Sequence, residues 1–195
     1  MHIAEAQLEM RTRFSGGAYG QLVSGLLWVA SASLATWSSP RAAITMLVVG
    51  GFFIFPITEA LVRFAGGKGP LSPANSLHYL GMQVAFVLPL SMPLLLPVGL
   101  YRLNWFYPAM MILLGAHYVP FVFLYGMPMF AALAGLLVGG GVVVAMFWSG
   151  SFSIGAWYTG AVLLLFAGAG AAIVRRDRSS SLFSGIRLFH RRDSV

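Results

Sequence analysis

Few side chains in this 195-residue chain can do chemistry, and the most exposed to question is Glu59. It is the only acid inside any long apolar run of the sequence. An ionisable group at membrane depth is costly enough to count as a candidate for ligand or ion binding, or for proton transfer. Arg63 stands four residues away, one helical turn along the same face. An intrahelical Glu59–Arg63 ion pair would therefore satisfy the carboxylate locally and leave it purely structural. His117 falls near the middle of another apolar run, where an imidazole must find its partner inside the protein. Tyr118 beside it, Tyr125 two turns on and Pro120 loosening the backbone would suit a polar cavity or a proton relay. A neutral histidine donating one hydrogen bond across a helix interface explains the same residue without a site.

Pro89, Pro93 and Pro97 recur every fourth residue. Each removes a backbone donor, so the carbonyls of Ala85, Pro89 and Pro93 lose their helical partners. Freed carbonyls can line a cavity, accept hydrogen bonds from His117 or Tyr118, or coordinate a cation, as in broken transporter helices. Prolines in membrane helices also serve merely to set a kink. Other chemistries are poorly supplied. The four histidines are far apart, no HExxH motif or paired carboxylates occur within a helix, and there is no cysteine. The sequence thus points to no metal and no cofactor. Gly67-Lys68-Gly69-Pro70 is glycine-rich but lacks the Gly-Lys-Ser/Thr of a phosphate-binding loop.

The elements that must position these residues are membrane helices. Apolar side chains make up 58% of the chain and charged ones 9%, with a mean hydropathy of +0.83. A soluble domain of this length has too little interior to hide several uncharged runs of about 18 residues or more, each able to cross a hydrocarbon layer about 30 Å thick. Six spans follow, roughly 20–37, 43–64, 79–100, 106–126, 128–148 and 154–174, giving an all-α bundle. Only Tyr125-Gly126-Met127-Pro128 separates the fourth from the fifth, which requires a very tight hairpin. With the N-terminus inside, Arg11, Arg13, Arg63, Lys68 and the six arginines of the C-terminal tail lie on the cytoplasmic side, against Arg41 and Arg102 outside. That imbalance predicts both termini in the cytoplasm and agrees with an even number of spans.

The chain divides into a cytoplasmic N-terminal segment (1–19), one transmembrane domain (20–174) and a basic cytoplasmic tail (175–195). The net charge of +7 is concentrated in that tail, so the lipid bilayer and its anionic headgroups, and no nucleic acid, are the expected partners. Leu182, Phe183, Ile186 and Phe189 at helical spacing opposite Arg187, Arg191 and Arg192 suit an amphipathic helix in the headgroup layer; Ile3, Met10 and Phe14 hint at the same near the N-terminus. No removable signal peptide precedes the first span. Trp37, Tyr101, Trp105 and Tyr107 are placed as an interfacial aromatic belt. The small-residue stripe Ala131, Gly135, Gly139 and the pair Gly168, Ala172 permit close helix approach, either within the bundle or in a homodimer.

The stretch Asn104-Trp105-Phe106-Tyr107-Pro108-Ala109, with Gly115-Ala116-His117-Tyr118-Val119-Pro120-Phe121 and Leu124-Tyr125-Gly126-Met127, resembles a family of small bacterial multi-pass membrane proteins known only as a domain of unknown function. The similarity extends back through Phe55-Pro56 and the proline-rich third span. It implies a bacterial inner-membrane protein and carries no activity, substrate or catalytic residue. The residues favour binding or translocation of a small solute or ion through a cavity between spans two, three and four, with Glu59, His117, Tyr118, Pro89 and Pro93 as candidate ligands. A membrane enzyme acting on a lipid or isoprenoid, with Glu59 or His117 as acid or base, and a non-catalytic sensor or assembly partner remain as alternatives.

Overall fold

Apolar runs that cannot pair their backbone groups with lipid must form helices, and helices are what the chain forms. In a computed structural model, residues 1–65 and 69–192 are described, with side chains described as far as Arg176; among them there is no strand. The helices are α1 (Ile3–Arg13), α2 (Ala18–Trp37), α3 (Pro40–Phe64), α4 (Leu77–Ser91), α5 (Leu95–Tyr101), α6 (Phe106–Tyr125), α7 (Met129–Phe147) and α8 (Ile154–Arg192). The six apolar spans are Ser15–Trp37, Pro40–Phe64, Leu77–Tyr101, Leu103–Tyr125, Met129–Phe147 and Ile154–Arg176. The protein is therefore an all-α, multi-pass membrane bundle, with spans close to those the hydropathy predicts.

The local chemistry explains the joints. The Ser39 side chain accepts from the Ala42 N–H and caps α3, with Pro40 at its first position. The tight hairpin between α6 and α7 is made by Gly126, at φ +61°, a left-handed conformation that side chains resist. The third span is broken at its prolines: α4 ends at Ser91, Met92–Leu94 forms a 3-10 turn, and α5 completes the crossing.

Packing follows a clear order. α2 is flanked by α3 and α8, α6 by α7 and α4, and α7 meets α8. Of the α3 span only 6% is buried, and of the third span 11%, against 44% for the α6 span, so these two are peripheral. Glycines allow the central helices to touch. A Cβ on Gly115 would meet Val138 Cγ2 at 2.7 Å and the Ala134 carbonyl at 2.9 Å, which fixes α6 against α7. On α7 the helix contacts are made by Gly140, against Tyr158, and Gly141, against the Pro108 carbonyl, while Gly135 and Gly139 of the small-residue stripe have nothing within 4 Å and line an outward groove of about 320 Å³.

α1 departs from a simple surface helix. Met10 and Ala6 are buried, but Ile3 and Leu8 are exposed, and α1 lies against α4 and α6 across one end of the bundle. Ser15, Gly16 and Gly17, all with positive φ, turn the chain from α1 into α2, and a Cβ on Gly16 would meet Val174 of α8 at 3.0 Å. α1, the α6–α7 hairpin and the far end of the α8 span thus share one face. α8 continues as a helix to Arg192. The amphipathic pattern expected of Leu182, Phe183, Ile186 and Phe189, like Lys68, falls outside the described side chains.

Candidate functional site

The polar residues of the bundle gather in two places. Near the face opposite α1, Ser31 donates to the Ala43 carbonyl at 2.9 Å and shares a 2.6 Å hydrogen bond with Tyr107. The serine proton goes to Ala43, so the Tyr107 hydroxyl is the donor in the second bond. Tyr107 is 0% exposed and packs on Trp28 and Phe152. It is a core residue, not a member of the interfacial belt, because its hydroxyl finds an acceptor inside the bundle. Trp37 and Tyr101, in contrast, are exposed as expected of anchors.

The second gathering lies under α1. Glu59 projects from α3 at a side-chain exposure of 19%, and its Oε2 takes Arg13 Nη2 at 3.2 Å. Arg63 Nε stands farther off, at 3.9 Å, on a side chain 79% exposed. The nearer partner comes from α1, not from the next turn of the same helix. The Tyr125 phenol of α6 lies within electrostatic reach of Glu59, and that of Tyr118 within reach of Tyr125. From α2, Gly17 faces the rings of Tyr125 and Phe130, and Gly20 faces Thr58 of α3. Gln21 is one turn from Gly17 on the same face, roughly 9 Å beyond Ser15 at 1.5 Å per residue. It is 1% exposed, and neither its amide nitrogen nor its amide oxygen has a hydrogen-bond partner; the same holds for the Thr58 hydroxyl and Arg13 Nη1.

α1 closes this region with polar ties. Gln7 donates to the Phe123 carbonyl at 2.6 Å. Glu9 accepts from the Ser72 N–H and from Asn75 Nδ2, each at 2.7 Å, while Asn75 also donates to the Ala6 carbonyl and caps α4 through the Leu77 N–H. A cleft of about 350 Å³ remains between α1 and residues Gly69–Leu71, lined by Glu5, Glu9, Thr12 and Arg13. Beyond Gln21 and Tyr118, Leu114, Met111 and Trp28 are buried in a layer that is mostly apolar but also holds Ser24.

Not all the sequence candidates converge. Glu59 and Tyr118 belong to this region through Tyr125. His117 turns instead toward the Val84 carbonyl of α4 and the ring of Phe121, with Nδ1 buried and unpartnered. Pro89, Pro93 and Pro97 are exposed on the outer surface of the third span, and line no interior space. The polar residues gathered here come from α2, α3 and α6, which are spans one, two and four; α3 packs on α2, and α4 packs on α6 and α1. Arg13 and Gln21 are the additions. Arg13 was hidden by lying before the first span, and Gln21 by being uncharged at its edge. The spacing Gln21, Ser24, Trp28, Ser31 is the signal that finds the latter, since all four share a helix face and all are buried. Among the described residues no group of three or more His, Cys, Asp or Glu is placed to hold a metal ion.

No curated protein and no solved structure matches the chain. A family model does match, over residues 3–171, which span α1 and all but the end of the sixth crossing. The chain belongs to that family, DUF7010, a family of unknown function.

Proposed function

We propose that the protein binds a small polar solute or ion inside the bundle, at the region bounded by Gln21, Thr58, Glu59, Tyr118 and Tyr125, and passes it across the membrane when α1 and the packed layer of Leu114, Met111 and Trp28 rearrange. The observation that carries this reading is Gln21. A primary amide offers two donors and an acceptor, and burying it unpaired costs about 1–3 kcal/mol. A membrane bundle gains nothing from that arrangement unless something polar visits it. The nearby Arg13–Glu59 pair supplies charge, and the α1 ties close the entrance. A lipid-modifying enzyme would need its acid or base open sideways to the bilayer, whereas Glu59 lies under α1.

The same reading puts the α1 face in the cytoplasm of a bacterial inner membrane, since among the described residues Arg11, Arg13, Arg63, Arg175 and Arg176 belong to it and Arg41 and Arg102 to the other. The tail would then meet anionic headgroups, and the open face at Gly135 and Gly139 leaves room for a second copy. Thermal unfolding of the purified protein against a panel of ions and small metabolites tests the binding. A ligand is expected to raise the midpoint of the wild type but not of Gln21→Leu or Glu59→Gln. Equal stabilisation of all three proteins would remove the site from this region.

A further inference from the structure

The Arg13–Glu59 contact makes poor use of an arginine. A guanidinium and a carboxylate can form two parallel hydrogen bonds, yet here only Nη2 reaches the acid, at 3.2 Å, while the buried Nη1 has no partner. Glu59 Oε2 faces both nearby arginines, Arg13 at 3.2 Å and Arg63 at 3.9 Å. On the adjoining turns, the Gln21 amide of α2 and the Thr58 hydroxyl of α3 are without partners, Gly20 of α2 faces Thr58, and the Tyr125 phenol lies within electrostatic reach of Glu59. Arg13 itself arrives from outside the spans, on a helix held by separable polar ties.

We infer that the Glu59 carboxylate, with the oxygens of Gln21, Thr58 and Tyr125, is a binding site for a small monovalent cation, and that Arg13 is a tethered competitor occupying it in the closed state. The inference deepens the solute-binding reading and rests on it. One carboxylate among neutral oxygens suits a single charge, since divalent ions draw on more carboxylates or retained waters. An anion would have to approach Glu59 at membrane depth, where like charges repel strongly. A cation entering the site displaces the Arg13 head, whose long side chain can turn to the headgroup layer. α1 then loses one of its ties, so occupancy of the site and opening of the entrance are coupled.

The test is the thermal midpoint of the purified full chain in detergent, in sodium, lithium, potassium or choline chloride at equal ionic strength. Arg13→Ala should be stabilised by one of the small cations over choline, by about 3–6 °C at ten times its Kd. The effect should be smaller in the wild type, where Arg13 competes, and absent from Arg13→Ala/Glu59→Gln. If Arg13→Ala does not yield folded protein, Arg13→Gln keeps a hydrogen-bonding side chain and is judged by the same criteria. The inference is overturned if all four salts act alike, if the midpoint follows the anion when chloride is replaced by nitrate, or if the double variant responds equally. Stabilisation of the wild type by an uncharged solute, with no cation response, overturns the cation assignment and leaves the solute-binding reading intact.

Discussion

Replacing Gln21 by leucine separates a functional amide from a structural one by the sign of a single number. The two side chains are close in size, and the site is 1% exposed, so the change removes two polar atoms with little change in packing. Because neither atom is hydrogen bonded, the substitution relieves a burial cost of about 1–3 kcal/mol without breaking a contact. For a chain of this size each kcal/mol moves the midpoint by about 2–4 °C, which predicts a rise of about 2 to 12 °C for Gln21→Leu in the absence of ligand. The same variant loses ligand-induced stabilisation, the pattern of a residue kept for function at the expense of stability. Thermal unfolding followed by tryptophan fluorescence is a suitable assay, since Trp28 is buried on the same face of α2. A fall of the midpoint by one to several degrees would refute the reasoning, because it would mean that the amide is holding the bundle together.

Three further outcomes follow from the packing. Gly115→Val drives a side chain into Val138 and the Ala134 carbonyl and should lower stability by about 1–3 kcal/mol, measured by thermal unfolding in detergent. Tyr107→Phe removes the donor to Ser31 but leaves the Ser31–Ala43 bond, so a loss of only about 0.5–1.5 kcal/mol is expected in the same assay. Asn75→Ala cuts the bonds to Glu9 and Ala6 that hold α1 to the start of α4; amide hydrogen exchange should rise in α1 and hardly at all in α6 and α7.

The bundle was legible because the bilayer imposes a rule on every residue of a span. Uninterrupted apolar length identifies a crossing whatever its neighbours are, and even the four-residue hairpin at Gly126 follows from the run lengths on either side. Side-chain partners obey no such rule. The i,i+4 spacing makes Arg63 the obvious partner of Glu59, and Arg63 is indeed within 3.9 Å. Yet Arg13, distant in sequence, comes closer, because the turn at Ser15–Gly17 folds α1 back over the bundle end. Tyr107 shows the same limit. Its position at a predicted span end suggests an anchor, and only the approach of α2 to α6 reveals Ser31 as its partner. The proline row marks the break in the third span correctly, but which way the prolines face depends on α4 packing against α6 with its other side.

The absence of cysteine allows the central claim, a polar interior reached only from under α1, to be tested without background. A single Thr58→Cys in otherwise unaltered protein, reconstituted in sealed vesicles of known orientation, is exposed to a small charged thiol reagent from one side at a time. The account predicts reaction only from the side carrying the N-terminus, and faster when Asn75→Ala loosens α1. Reaction from the opposite side, or none from either side even with α1 loosened, would contradict it.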